Sequence, residues 1–315
     1  MRIAEVHRDR LRAIGESGDQ TLLPDKGQKT GEFAVGDWVL SEPENGKILK
    51  LLERKSLLQR FASATENRNQ LIAANVDTLF IVSSCNSDFK VDWIELFLAM
   101  AREAGVHPVV VLTKVDLIGD PREWIEKVEA LAPWVSIIAI NGREADQVKQ
   151  LYKWCGPGQT VALVGSSGVG KSTLLNGLGE LTQATGHISE SAGLGRHTTT
   201  SRSLHQVKAG GWVIDTPGIR VLHLHHTAEG IDSLFEDIVD YTSGCRFRDC
   251  AHENEPGCAV QKAISEGLLD RTRFERWSQL RQDNKSNTQT VGQSQPRGRK
   301  SGKGQKSRKS TRGRR

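Results

Sequence analysis

Residues Gly165–Ser172 read GSSGVGKS, which fits the pattern GxxxxGK followed by a hydroxyl residue. That spacing suits a chain that must wrap a polyphosphate. Glycines let the backbone curl until its N–H groups face inward, and the N-terminus of a following helix adds partial positive charge. The pattern assigns Gly165, Ser166, Ser167, Gly168, Val169 and Gly170 to the cradle, with Thr173 beside it. Lys171 would reach the β- and γ-phosphates, and Ser172 would ligate Mg2+. On its own such a stretch is also a glycine-rich turn. Here the apolar run Thr160–Val164 precedes it and a helical pattern over Lys171–Leu178 follows, which is the context the chemistry requires.

A phosphate loop does not choose a base. Thr113, Lys114, Val115 and Asp116 (TKVD) follow another apolar run, Val109–Leu112. An aspartate there can accept hydrogen bonds from guanine N1–H and its 2-amino group. Adenine has no matching donor pair, and mismatched polar partners are penalised heavily. The Lys114 stem can lie over the base plane. Asn141, after the run Ser136–Ile140, sits where a backbone contact to the guanine oxygen would fall. Asp215-Thr216-Pro217-Gly218 (DTPG) again follows an apolar run, Trp212–Ile214. Asp215 would hold Mg2+ through water and the Gly218 N–H would contact the γ-phosphate. Between these motifs lies GRHTTT, residues 195–200, where Thr198 or Thr199 is suited to Mg2+; the pattern does not choose between them. An ATP-dependent enzyme is disfavoured by TKVD.

Many phosphohydrolases of this type orient the attacking water with a glutamine just after DxxG. Here the next residues are Ile219 and Arg220, and isoleucine cannot hydrogen-bond water. His197, beside Thr198 and Thr199, is the nearest candidate, because its imidazole can accept a hydrogen bond near neutral pH. Shaping that loop or touching RNA is its other reading.

Cys245, Cys250, His252 and Cys258 form C-x4-C-x-H-x5-C. Three thiolates and one imidazole make a closed tetrahedral set, which is structural rather than catalytic zinc chemistry. Buried thiols beside a surface histidine would give the same string. Arg246, Phe247, Arg248 and Lys262 surround the cluster and suit an RNA-facing surface.

These residues need a scaffold. From about 75 to 225, short apolar runs alternate with amphipathic segments such as Trp93–Glu103, Arg122–Leu131 and Glu144–Trp154. This predicts an α/β fold with a parallel sheet, binding ligands beyond its C-terminal strand ends. The base-reading motif precedes the phosphate loop, the reverse of the usual order, so the nucleotide domain is circularly permuted. Residues 1–72 are expected to form a small β-barrel domain, with strands near Glu32–Leu40, Ile48–Leu52 and Leu57–Phe61. The nucleotide domain is expected over 73–228, a mainly helical zinc-binding domain over 229–283, and a disordered basic tail over 284–315.

The set VGDWV, AANVDTLFIVSS, TKVD, GSSGVGKST, GRHTTT, DTPGIR and the Cys/His cluster resembles the circularly permuted ribosome small-subunit-dependent GTPase A family (RsgA, also called YjeQ). The resemblance covers about residues 30 to 280. It implies an OB-fold, a permuted G domain and a C-terminal zinc domain. It also implies binding to the small ribosomal subunit and its 16S rRNA, a role late in that subunit's maturation, and His197 at the attacking water. Thr113 departs from the asparagine of many GTPases, and is expected to loosen the tether to the phosphate loop.

The bulk numbers agree. No apolar run among the 315 residues approaches the roughly 20 needed to span a membrane. The N-terminus does not read as a secretory signal, and five unevenly spaced cysteines argue against a disulfide framework. A cytoplasmic monomer is expected. The net charge of +5 conceals an asymmetry: 11 of the 43 basic residues and none of the 38 acids lie in 285–315. Such an arm gains affinity for RNA by displacing counterions, although it could also be only a solubilising tail. The expected function is a GTPase that binds the small subunit, assists its assembly and cycles with nucleotide state. The alternative, of a different class, is an RNA-binding assembly module for which GTP is a conformational ligand and hydrolysis is incidental.

Overall fold

The computed structural model describes residues 1–16, 18–61, 69–179, 202–216 and 227–293. Strands β1 (Arg2–Val6), β2 (Leu11–Gly15) and β3 (Gly18–Leu22) form an antiparallel meander. Strands β4 (Val39–Ser41) and β5 (Ile48–Leu51) form a hairpin. Two seams close these strands on each other. The Val39 N–H donates to the Met1 carbonyl at 2.9 Å, and the Ile48 N–H to the Leu23 carbonyl at 3.3 Å. The result is a five-stranded OB-like barrel in the order β1–β2–β3–β5–β4–β1. Alternate residues point inward, so Ile3, Leu11, Ala13, Leu22, Val39 and Ile48 fill it together with Phe33. The apolar pattern locates strands only from about residue 30, whereas the barrel begins at Arg2. A second hairpin, β6 (Leu57–Phe61) and β7 (Asn69–Ala74), leads on to the central domain.

That domain follows as β8 (Thr78–Ser84), α1 (Val91–Glu103), β9 (His107–Thr113), α2 (Arg122–Leu131), β10 (Ser136–Ala139) and α3 (Ala145–Val148). It continues with β11 (Thr160–Val164), α4 (Lys171–Leu178), β12 (Ser203–Gln206) and β13 (Trp212–Asp215). The helix expected over Glu144–Trp154 is α3 followed by a 3-10 turn over Lys149–Trp154. The sheet order is β10-β9-β8-β11-β13-β12, parallel except for β12. The chain moves outward from β8 to β10, then returns to add β11 on the other side of β8. That reversal opens a crevice at the strand ends between β8 and β11. Both faces are covered, as a parallel sheet requires. Leu79 and Ile81 pack with Phe97 and Leu98 of α1, while Phe80 and Val82 pack with Leu174, Leu175 and Leu178 of α4.

The barrel is fused to this sheet. β1 pairs antiparallel with β12, Glu5 opposite Ser203, so one sheet runs through nine strands to β3. Arg2 fastens the joint. Its guanidinium donates to Thr160 Oγ1 at 2.7 Å and lies 5.4 Å from the Trp38 ring and 6.0 Å from the Trp212 ring. Burial pulls its pKa down to about 10.

The C-terminal part is helical: α5 (Ala228–Leu234), α6 (Glu236–Thr242), α7 (Ala259–Ser265) and α8 (Arg271–Gln293). A side chain at Gly230 would meet the Ala99 carbonyl oxygen at 2.2 Å, so glycine is what lets α5 lie against α1. Helix α8 runs on to Gln293, where an unstructured tail was expected from residue 284. The rest of that tail lies outside the described residues. Among the described residues no helix is long and apolar enough to cross a membrane.

Candidate functional site

The phosphate loop sits in the crevice between β8 and β11. Gly165 ends β11 with φ +143°, and a Cβ there would lie 2.2 Å from the Val82 carbonyl oxygen. Any side chain would push the loop off the sheet. Gly168 and Gly170 also have positive φ, which turns the chain into α4. Lys171 Nζ donates to the carbonyls of Gly165 at 2.7 Å and Ser166 at 2.6 Å. Burial lowers its pKa to about 8, against the opposing charge of Asp215. The Asp215 carboxyl is buried at the end of β13, which pairs Asp215 with Leu163 of β11. Burial raises its pKa, while Lys171 and a hydrogen bond from the Thr216 backbone pull it down. Thr216 is buried and its hydroxyl donates to the Leu163 carbonyl. Lys171 and Asp215 are thus neighbours in a half-dry pocket. Ser172 is exposed and Thr173 half-buried on the first turn of α4.

The base-reading loop meets the same edge. Thr113 ends β9 and is 2% exposed. Its hydroxyl lies 2.6 Å from the Val169 carbonyl of the phosphate loop and 3.2 Å from that of Ser83. It carries one proton, which goes to the nearer oxygen. The expectation of a loosened tether is therefore corrected: threonine makes the link directly, because the two loops approach closely enough for a short side chain. Lys114 takes a left-handed conformation with φ 60°, which turns the chain into the 3-10 turn Val115–Leu117 and leaves Asp116 exposed. Lys114 Nζ stands 3.9 Å from Asp88, a residue the motifs did not single out. The Asn141 N–H donates to Gln147 Oε1 at 2.8 Å, so a base oxygen there would have to displace that side chain. Gln147 carries no recognisable signal in sequence. His197, Thr198, Thr199 and Gly218 lie outside the described residues.

The Cys/His cluster lies apart, between α6 and α7. The donor atoms of Cys245, Cys250, His252 and Cys258 all fall within 4.8 Å of one another. His252 Nδ1 is 3.5 Å from Cys245 Sγ and 3.6 Å from Cys258 Sγ, and those two sulfurs are 3.9 Å apart. Tetrahedral zinc bonds would set about 3.6 Å between S and N and about 3.8 Å between sulfurs. The donor set therefore fits a four-coordinate metal. Local geometry brings it together: His252 is left-handed with φ 61°, and Cys258 caps α7, its Sγ accepting from the Gln261 N–H at 3.4 Å. The His252 ring packs on Trp277 of α8, with centroids 5.7 Å apart. Phe247, 42% exposed, carries the Arg246 guanidinium 5.5 Å from its ring.

Comparison with known proteins agrees with this geometry. A family profile described as RsgA GTPase matches residues 51–225. The small ribosomal subunit biogenesis GTPase RsgA of Mesorhizobium japonicum is 48% identical over 98% of this chain and 89% of its own length. The protein of that description, RsgA 2, from Vibrio parahaemolyticus is 47% identical over 86% of this chain and 76% of its own. Two solved structures share the fold at 24% identity. YjeQ from Thermotoga maritima has a TM-score of 0.59 over 89% of this chain and 97% of its own. YloQ, described as a circularly permuted GTPase, has 0.61 over 91% and 95%. A profile spanning more than half the chain, with nearly half the residues identical along almost its whole length, leaves one assignment: the chain belongs to the RsgA GTPase family.

Proposed function

We propose that this protein is a cytoplasmic GTPase that binds the small (30S) ribosomal subunit, assists its late maturation and hydrolyses GTP to GDP and phosphate. The relatives' names, small ribosomal subunit biogenesis GTPase, support the partner. The observation that carries the reading is the Thr113–Val169 hydrogen bond of 2.6 Å. It ties the loop suited to guanine to the loop suited to phosphates, although the chain reaches them in reversed order. In this reading Asp116 selects guanine, with Lys114 over the base. Backbone N–H groups of residues 165–173 hold the phosphates, and Lys171 trades its two loop carbonyls for phosphate oxygens. Ser172, Asp215 and either Thr198 or Thr199 would hold Mg2+, which when bound would neutralise phosphate charge. Gly218 would sense the γ-phosphate, and His197 would orient the attacking water. Cys245, Cys250, His252 and Cys258 would hold one zinc, whose role there is to hold the local chain together rather than to react.

GTP turnover by the full chain, measured with purified small subunits, large subunits and neither, tests the reading. Slow hydrolysis alone and acceleration by small subunits only are expected. Equal turnover in all three would favour an RNA-binding assembly module that uses GTP as a conformational ligand. His197→Ala should remove most of the stimulated turnover while GTP affinity and subunit binding persist. Normal stimulation in that variant would leave the water to a group supplied by the ribosome.

A further inference from the structure

The base-reading edge holds a side chain that none of the motifs explains. Strand β10 lies beside β9, Ala139 opposite Leu112, and the Ile140 N–H donates to the Leu112 carbonyl at 2.8 Å. Asn141 is therefore carried to the same strand end as Thr113 and Lys114. A Cβ on the next residue, Gly142, would lie 3.2 Å from Leu174 and 3.7 Å from Thr173, so the loop leans on the first turn of α4, which follows the phosphate loop. This placement is what suits the Asn141 N–H to a base oxygen.

That N–H is already engaged. It donates to Gln147 Oε1 at 2.8 Å, while the Asn141 side chain turns to the Arg143 N–H, which donates to its Oδ1 at 3.0 Å. The Gln147 contact is a chemical copy of the one expected from guanine. A carboxamide oxygen and the guanine 6-oxygen are both carbonyl acceptors, and a single N–H at this position serves one of them at a time.

Gln147 is also placed so that it can let go. It is the third residue of the four-residue helix α3. The next residue, Val148, is buried and packs with Leu174 and Leu175 of α4, so it anchors the helix. Asp146 and Lys149 pair with each other at 2.7 Å on the solvent side. The half-buried Gln147 is the polar side chain of α3 that faces the loop, and it can swing aside without moving the helix. The phosphate end behaves alike, since Lys171 donates to the carbonyls of its own loop.

We propose that Gln147 is an internal competitor for the base: its carboxamide oxygen occupies the Asn141 N–H, and a guanine nucleotide takes that position only after the side chain swings away. This deepens the reading of the edge as a guanine site and rests on it. Two states follow, one closed by Gln147 and one open to the base. A ligand that binds only the open fraction has its apparent dissociation constant raised by the inverse of that fraction. GTP and GDP carry the same base and are held back alike. The device sets how much nucleotide the protein needs, not which phosphate form it prefers.

Stopped-flow binding of ribose-labelled fluorescent GDP and ADP to the full chain tests this. The unmodified chain should bind GDP in strong preference to ADP. Gln147→Ala should raise the GDP association rate constant about three- to tenfold, the worth of one partly exposed hydrogen bond, and leave the dissociation rate constant within about twofold. Gln147→Met keeps the length of the side chain but has no carbonyl, and should give the same gain. Alanine and methionine both favour helix, so α3 persists in either variant. A side chain that merely props the loop would instead speed dissociation when removed, and that result overturns the proposal. So does an unchanged association rate, or a gain with alanine that methionine does not reproduce. If the unmodified chain does not prefer GDP to ADP, the guanine reading itself falls. If the preference stands and the association rates do not move, only this inference falls.

Discussion

The nucleotide edge and the Cys/His cluster are assembled in opposite ways. The first draws on loops at residues 113–116, 165–173 and 215–216, carried on three strands of one sheet. Protein groups already fill the roles a ligand would take: Lys171 rests on its own loop carbonyls and Thr113 bonds Val169. The second draws all four donors from residues 245–258, between two seven-residue helices. The bonds that hold that stretch are mostly local too, such as the Arg246 N–H to the Gly257 carbonyl and the N–H groups of Ala251 and Glu253 to the Glu255 carboxylate. A site built from distant strands is preorganised by the core beneath it, whereas a local site needs its ligand to exist.

Three experiments break or sharpen this contrast. The largest effect is expected from metal removal. Structural zinc contributes about 10–16 kcal/mol to isolated metal-dependent modules at neutral pH. Chelation or Cys250→Ala should therefore abolish hydrogen-exchange protection across residues 245–265 while GTP affinity stays within about twofold. Elemental analysis should find one zinc per chain; a metal-free chain with full protection there would break the comparison. The next effect is smaller. Thr113→Val keeps the shape but orphans the buried Val169 carbonyl, at a cost of about 1–3 kcal/mol. GTP should bind about tenfold or more weakly, with the melting temperature lowered only slightly. Unchanged affinity would mean that the core alone sets the phosphate loop. The smallest effect is the pH dependence. In the free protein the Lys171 ammonium has a pKa of about 8, lowered by burial. Bound phosphates would hold its proton, so the bound-state pKa is higher. GTP affinity should be flat well below pH 8 and fall as pH rises through it, by at most about tenfold per pH unit. Calorimetry in buffers of different ionisation heat should record proton uptake on binding above that point; no uptake would remove Lys171 from charge contact with the nucleotide.

The sequence was most legible where chemistry demands unusual residues. Gly165 admits no side chain, Lys171 opens the helix after one apolar strand and Asp215 ends another, so motif and element identify each other. The barrel was harder to see. β1 through β3 are five residues each and partly exposed, and their closure depends on the nonlocal pairs Arg2–Trp38 and Leu23–Lys47. No local pattern carries those pairs. β12 (SLHQ) is shorter still and half-polar, being identified by β13 and β1 on either side. The Thr113 tether was misjudged because residue type alone says nothing about how near two loops come. Helix α8 past residue 284 was missed because KSNTQTVGQ has poor helix propensity, while the turns before it are fixed by Trp277 and the ion pairs of Arg273 with Asp237 and Arg276 with Glu95.

The single antiparallel joint between β1 and β12 has a consequence for synthesis. As the chain leaves the ribosome that makes it, β1 to β5 can close their barrel within the first 51 residues. The unit β8-α1-β9-α2-β10 then forms from near neighbours, presenting the free edge of β8 to β11 when that strand arrives. Glu5, though among the first residues made, must wait for Ser203 before its strand gains its neighbour. Contacts of such long sequence separation form slowly. Until then the Glu5 end of β1, beyond the part that pairs with Trp38, stands open together with an edge of the growing sheet, each a template for the wrong partner. The nascent protein is thus most exposed to misassociation in the interval between making residue 6 and making residue 206, and the strand that ends that exposure is the one that follows directly from the GRHTTT segment.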